Sequence, residues 1–154
     1  LTCYDATTAR WLYDAGLRVM LVGDTAVKTV SPVPGGKLHT SSAAKTIDRI
    51  VDVFPAAEKA MVRSMLSNSI RSVISQSLMK KIGGGRTAAW EIMVATPAIR
   101  NLIREHKLAQ MYSSVQTGQA DGMQTMDQHL RQLVDRGIIT SETARGRAEN
   151  KEDF

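Results

Sequence analysis

The chain has 154 residues, of which 43% are hydrophobic and 23% charged, with a formal net charge of +5. That size and balance predict one globular domain, or a domain plus part of another, and exclude a disordered chain. The basic residues are scattered among acids with few interleaved aromatics, so nucleic acid is not an expected partner.

Leu1–Asp5 reads as a short strand, and the segment 6–16 as a helix carrying Ala9, Leu12 and Tyr13 and stopped at Gly16. Arg18–Asp24 is a compact apolar run of strand length, completing a βαβ-like opening. Asp24 then falls at the C-terminal end of its strand, where α/β folds place ligands; it is a candidate metal ligand, with a capping role as the alternative. The segment 26–37, with Pro32, Pro34, Gly35 and Gly36, is a linker or junction.

Helical spacing returns over 41–53, with Ala44, Ile47, Ile50 and Val51 on one face, and ends at Phe54-Pro55. A second helix is expected over 56–67 with Met61, Met65 and Leu66 inward. The runs RSVISQSLMKKI and RTAAWEIMV flank Gly83-Gly84-Gly85, which predicts a β-hairpin closed by glycines in positive-φ conformations. Thr96 and Pro97 have the pattern of an N-cap and first helical residue. Three or four short helices follow, broken at Gly118, Gly122 and Gly137, the last over 138–147. Within Ala98–Glu105, the apolar stripe Ile99, Leu102 and Ile103 leaves both arginines outward, toward solvent or a neighbouring domain.

Glycines, a lysine and hydroxyls in SPVPGGKLHTSS imitate a phosphate-binding loop. Placing the final Gly-Lys of that motif on Gly36-Lys37 puts Ser31 at its first glycine and Leu38 at its magnesium-binding hydroxyl, so the spacing fails. His39, His106 and His129 are too dispersed for a local metal motif. Cys3 is the single cysteine and forms no disulfide within the chain; it is a core thiol, or a nucleophile if a base lies beside it. Together with the absence of an apolar run of ~18–20 residues and of a signal peptide, this predicts a cytoplasmic protein. Leu1 in place of an initiating Met predicts a piece or a processed product.

The segments LHTSSAAKTIDR, VDVFP, KKIGGGR, EIM, TPAIRNLIRE, QMYSSVQTG and GMQTMDQ occur in order from Leu38 onward. Together they closely resemble the twitching-motility retraction ATPases of type IV pili, within the secretion-ATPase superfamily. The resemblance implies an α/β fold: the C-terminal part of a RecA-like ATPase core over 38–95, then a helical C-terminal domain over 96–154. It implies a cytoplasmic hexameric ring acting on the pilus machinery, with ATP and magnesium as cofactors of the complete protein. His39 would belong to the nucleotide-sensing His box, and Ala98, Ile99, Arg100, Asn101, Leu102, Ile103, Arg104 and Glu105 would form the retraction helix. Trp90 departs mildly from the pattern before Glu-Ile. The Walker A loop, acidic box and Walker B carboxylate have no counterpart, so these residues alone are expected to bind no cofactor and not to hydrolyse ATP.

Residues 1–25, with LTCYDATTARWLYDAG and LVGDT, are similar instead to the start of ketopantoate hydroxymethyltransferase, a TIM-barrel enzyme. That resemblance implies a magnesium-binding role for Asp24 and a substrate contact for Thr25. The alternative readings of the whole are therefore a remnant of that transferase or a non-catalytic chimeric module.

Overall fold

The computed structural model describes residues 19–22 and 42–154. The expectations for the first strand and helix, Cys3, Asp24, Thr25, the Pro-Gly linker and His39 lie outside the described residues.

Strand β1 (Val19–Val22) pairs in parallel with β2 (Ser72–Lys80), and β2 pairs antiparallel with β3 (Arg86–Val94). The sheet order is β1-β2-β3, extended by an isolated bridge between Ile92 and Gln124. The β2–β3 hairpin is the one the glycine run predicts. Lys81 N–H donates to Gly85 O at 3.1 Å, while Gly84 and Gly85 take φ of 90° and 74°, angles that side chains with a Cβ rarely adopt.

Among the described residues six α-helices accompany the sheet. They are α1 (Ala43–Asp52), α2 (Lys59–Ser69), α3 (Pro97–Arg104), α4 (Leu108–Thr117), α5 (Met126–Asp135) and α6 (Ser141–Arg145). Their starts follow capping chemistry. Ser42, Thr96 and Thr140 each accept an N–H from three residues on, and Thr125 forms a full capping box with Gln128. Gly118 ends α4, while Gly122 and Gly137 adopt φ of 79° and 66° at the breaks that follow.

The alternation of the hairpin decides where the core lies. On its covered face the cross-strand pairs run Val73–Met93, Ser75–Glu91, Ser77–Ala89. Val73 and Met93 join Ala43, Ile47, Ile70, Ile99, Ile103, Met111, Val115 and Met123 in one apolar cluster. Met79 and Ala89 join Met126, Leu130, Leu133, Ile139 and Ala144 in a second. Buried Ser75, Ser77 and Glu91 lie between the two along the strands. Helices α3 and α4 thus close the first core together with α1 and the hairpin, and α5 and α6 close the second against the hairpin.

Three expectations are corrected. Met61 and Met65 face outward, 57% and 62% exposed. The side of α2 turned to the core carries Leu66 and Ser67, because α2 packs against α3 through that turn. In α1, Ile47 and Val51 are buried as predicted and Ala44 packs against the core, but Thr46 and Ala43 are buried where the predicted Ile50 is only half-buried. The last α-helix is also shorter, Ser141–Arg145, since Ile138 and Ile139 instead end the α5 turn by donating N–H groups back to Leu133 O.

Candidate functional site

Helix α3 carries most of the residues that the sequence singles out. Thr96 Oγ1 accepts the N–H of Ile99 at 3.3 Å, and Pro97 occupies the first turn. Ile99 and Ile103 are fully buried and Leu102 packs beside them, so the apolar stripe anchors the helix. Its outer face presents Ala98, Asn101, Arg104 and Glu105. Asn101 Nδ2 donates to Glu105 Oε1 at 2.9 Å, and Arg104 Nη2 donates to Asn101 Oδ1 at 3.3 Å. Lys107 approaches Glu105 at 2.7 Å. Its hydrogen bond, then that of Asn101, hold the Glu105 carboxyl below the usual range. The result is a pre-ordered polar row on an otherwise apolar-anchored helix.

Arg100 departs from the outward orientation that the stripe predicts. It is half-buried, and its guanidinium donates to Ala95 O at 2.9 Å, Ser67 O at 2.5 Å and Asn68 O at 2.9 Å. Ser67 and Asn68 are in the last turn of α2, whose carbonyls have no partner within the helix. A cation at that negative end satisfies them and complements the helix dipole. Arg104 adds a bond from Nη1 to Ser67 Oγ at 3.3 Å. Of the two arginines only Arg104 is exposed.

A second group of polar side chains sits beneath the start of α1, directly after the LHTSS segment. Glu91, 4% exposed, accepts the N–H of Ala43 on Oε1 at 2.6 Å. Burial raises its pKa to about 7 against the opposing Ala43 hydrogen bond, and the charges of Glu149 and Asp127 push it further upward. Asp127 accepts the N–H groups of Glu149 and Asn150, each at 2.9 Å, tying the C-terminal segment to the first turn of α5. His129 Nδ1 accepts the N–H of Trp90 at 2.8 Å, which defines that nitrogen as unprotonated. Burial depresses the His129 pKa. Sequence reasoning assigned no role to Glu91, Asp127 or His129. For Glu91 a signal existed: it occupies an inward position of an alternating strand, between Ala89 and Met93.

Among the described residues no three His, Cys, Asp or Glu side chains are grouped to hold a metal ion. The two residues that the resemblances assign to magnesium and phosphate sensing, Asp24 and His39, lie outside the described residues.

No protein-family model matches the chain. Individual proteins do. The chain is 69% identical over 119 residues to the type IV pilus retraction ATPase PilT of Pseudomonas aeruginosa, covering 77% of this chain and 35% of that protein. It is 64% identical over 120 residues to a twitching motility protein of Neisseria gonorrhoeae, covering 77% of this chain and 32% of that one. A crystal structure of the pilus retraction motor PilT with bound ADP superposes with a TM-score of 0.66 at 39% identity, over 92% of this chain and 43% of that one. A shorter match, 59% identical over 34 residues, is to 3-methyl-2-oxobutanoate hydroxymethyltransferase of Acidothermus cellulolyticus, covering 22% of this chain and 12% of that enzyme. The chain spans about a third of the length of the curated pilus relatives it matches. Over 77% of its length the chain is a partial-length homologue of the type IV pilus retraction ATPases, with part of their RecA-like fold and the helical portion that accompanies it.

Proposed function

We propose that residues 38–154 are the C-terminal portion of a pilus retraction motor, working in the cytoplasm within a homo-oligomeric, hexameric ring that acts on the pilus machinery. The observation that carries this reading is the 69% identity with a retraction ATPase, sustained over 119 residues. Residues 38–95 belong to the ATPase core and 96–154 to the helical domain. Helix α3 is the retraction helix, anchored by Ile99, Ile103 and Arg100 and offering Asn101, Arg104 and Glu105 to a neighbouring surface. His39 is the nucleotide-sensing histidine, and ATP and magnesium are held by the complete motor.

On their own the 154 residues do not hydrolyse ATP. Phosphoryl transfer depends almost wholly on positioning and charge neutralisation, and Ser31 and Leu38 stand where the phosphate loop needs glycine and a hydroxyl. Incubation of the isolated chain with labelled ATP and magnesium should release no phosphate above buffer. Sustained turnover by a homogeneous sample would contradict this reading.

The 34-residue transferase match favours a second reading for the beginning of the chain: a remnant of a magnesium-dependent hydroxymethyltransferase, joined to the motor portion through 26–37 as a chimeric module. Asp24 would bind magnesium and Thr25 the substrate. Magnesium affinity abolished by Asp24→Ala supports it; titration showing no magnesium binding to the wild-type chain counts against it.

A further inference from the structure

Strand β2 is longer than the strand that covers its outer edge. Lys81 N–H donates to Gly85 O and Ala95 N–H to Arg71 O, which fixes the alternation of the hairpin ladder. Odd-numbered residues of β2 turn their main-chain groups toward β3, and even-numbered ones turn theirs to the opposite edge. β1 takes up that edge only from Ser72 to Ser75. Leu78 and Lys80 therefore present N–H and C=O groups beyond the end of β1, and no described residue hydrogen-bonds to those groups. Past Lys80 the main chain is engaged again, where Ile82 N–H donates to Ile138 O just before α6.

The side chains around this gap have a distinct chemistry. An open groove of about 430 Å³ separates Leu78 and Lys80 from Glu142, Thr143 and Arg147, in and just after α6. Leu78, 54% exposed, lies on the same face of the strand as Lys80. Lys80 stands directly opposite Arg86 on β3, both are exposed, and neither side chain has an ion-pair or hydrogen-bond partner among the described residues. Like charges directly opposite one another in a ladder repel. An anion laid over both relieves that repulsion.

We propose that the β2 edge from Gln76 to Lys80 is a strand-addition site for an extended acidic segment of another protein. The guest's main chain pairs with Leu78 and Lys80, one of its apolar side chains covers Leu78, and a carboxylate two residues along meets Lys80 and Arg86. A second copy of this chain is a poorer guest, because it carries net charge +5 and brings its own Lys80 and Arg86 to the same slot. The site does not depend on the retraction-motor reading.

Titration of the isotope-labelled full chain with synthetic peptides, followed by amide NMR shifts, tests it. The probe is a peptide of about seven residues, blocked at both ends, with threonine at every second position and valine and glutamate taking turns between. It should bind saturably and shift the Leu78 and Lys80 amides, leaving Met93 and Leu130 in the cores unmoved. The same peptide with N-methylated amides keeps its charges but cannot donate to the edge, and should bind at least about tenfold more weakly. Lysine in place of glutamate should weaken binding similarly, and Lys80→Glu with Arg86→Glu should reverse the preference between the two peptides. No saturable shift with the glutamate peptide overturns the proposal and leaves Lys80 as a charge that only guards a sheet edge. Equal binding of the N-methylated peptide overturns strand addition, and equal binding of the lysine peptide overturns the acidic class of partner. A dimer of the chain alone that is lost in Leu78→Lys makes a second copy the occupant and overturns the choice of guest.

Discussion

Arg100 belongs to the framework of the fold rather than to its surface. Three main-chain carbonyls depend on it, two of them at the otherwise unsatisfied end of α2. Arg100→Ala should therefore destabilise the chain by about 2 kcal/mol in urea titration, and Arg100→Lys by less, because a single ammonium cannot reproduce the guanidinium fork. Two titrating groups set opposite pH trends. Glu91 has a raised pKa, so its contribution is fully present below the ordinary glutamate value and is lost as pH rises to about 7. Glu91→Gln should raise stability at pH 8 by roughly 1–3 kcal/mol and remove that slope. His129 has a depressed pKa, so its contribution is present above the ordinary histidine value and is lost as pH falls below it. His129→Gln, an acceptor for the Trp90 N–H that does not titrate there, should flatten the acid side of the stability profile. A steeper acid loss in that variant would show that another group is responsible.

At the scale of elements, α2 makes the contrast between stripe and surroundings measurable. Met61→Ser with Met65→Ser should change stability by no more than about 0.5 kcal/mol, because both side chains face outward. Met93→Ala, in the fully buried cluster, should cost about 2–5 kcal/mol. Equal losses from the two would mean that α2 packs through its methionines after all. What was legible in the sequence was local chemistry: the triple glycine that closes β2 onto β3, the Thr96-Pro97 start of α3, and the glycines ending α4 and following α5. What was not legible depended on partners distant in the chain. The inward side of α2 is decided by α3, some 30 residues later in sequence. Arg100 turns inward because the α2 carboxyl end happens to lie within its reach. Glu91 could be seen as an anomaly of alternation, but its tie to Ala43 joins residues 48 positions apart.

At the scale of the whole molecule, the described residues form a hairpin whose covered face alternates apolar, polar, apolar, closed by helices from both ends of the motor-like region. β1, from the region read as the transferase-like start, adds to the same sheet by pairing Val19–Val22 with Ser72–Ser75. An edge strand of that kind shields the backbone of β2 from pairing with other chains. Shortening the chain to begin at Leu38 should then increase self-association in light scattering, with helical content retained. The proposed role of residues 38–154, a portion of a retraction motor's assembly that cannot turn over ATP alone, is tested most directly by titrating the chain into the complete Pseudomonas aeruginosa retraction ATPase and following ring mass and ATP turnover together. The chain should enter or perturb the ring, and turnover per motor subunit should fall as its share rises; unchanged ring mass with unchanged turnover at a large excess of the chain would contradict that role.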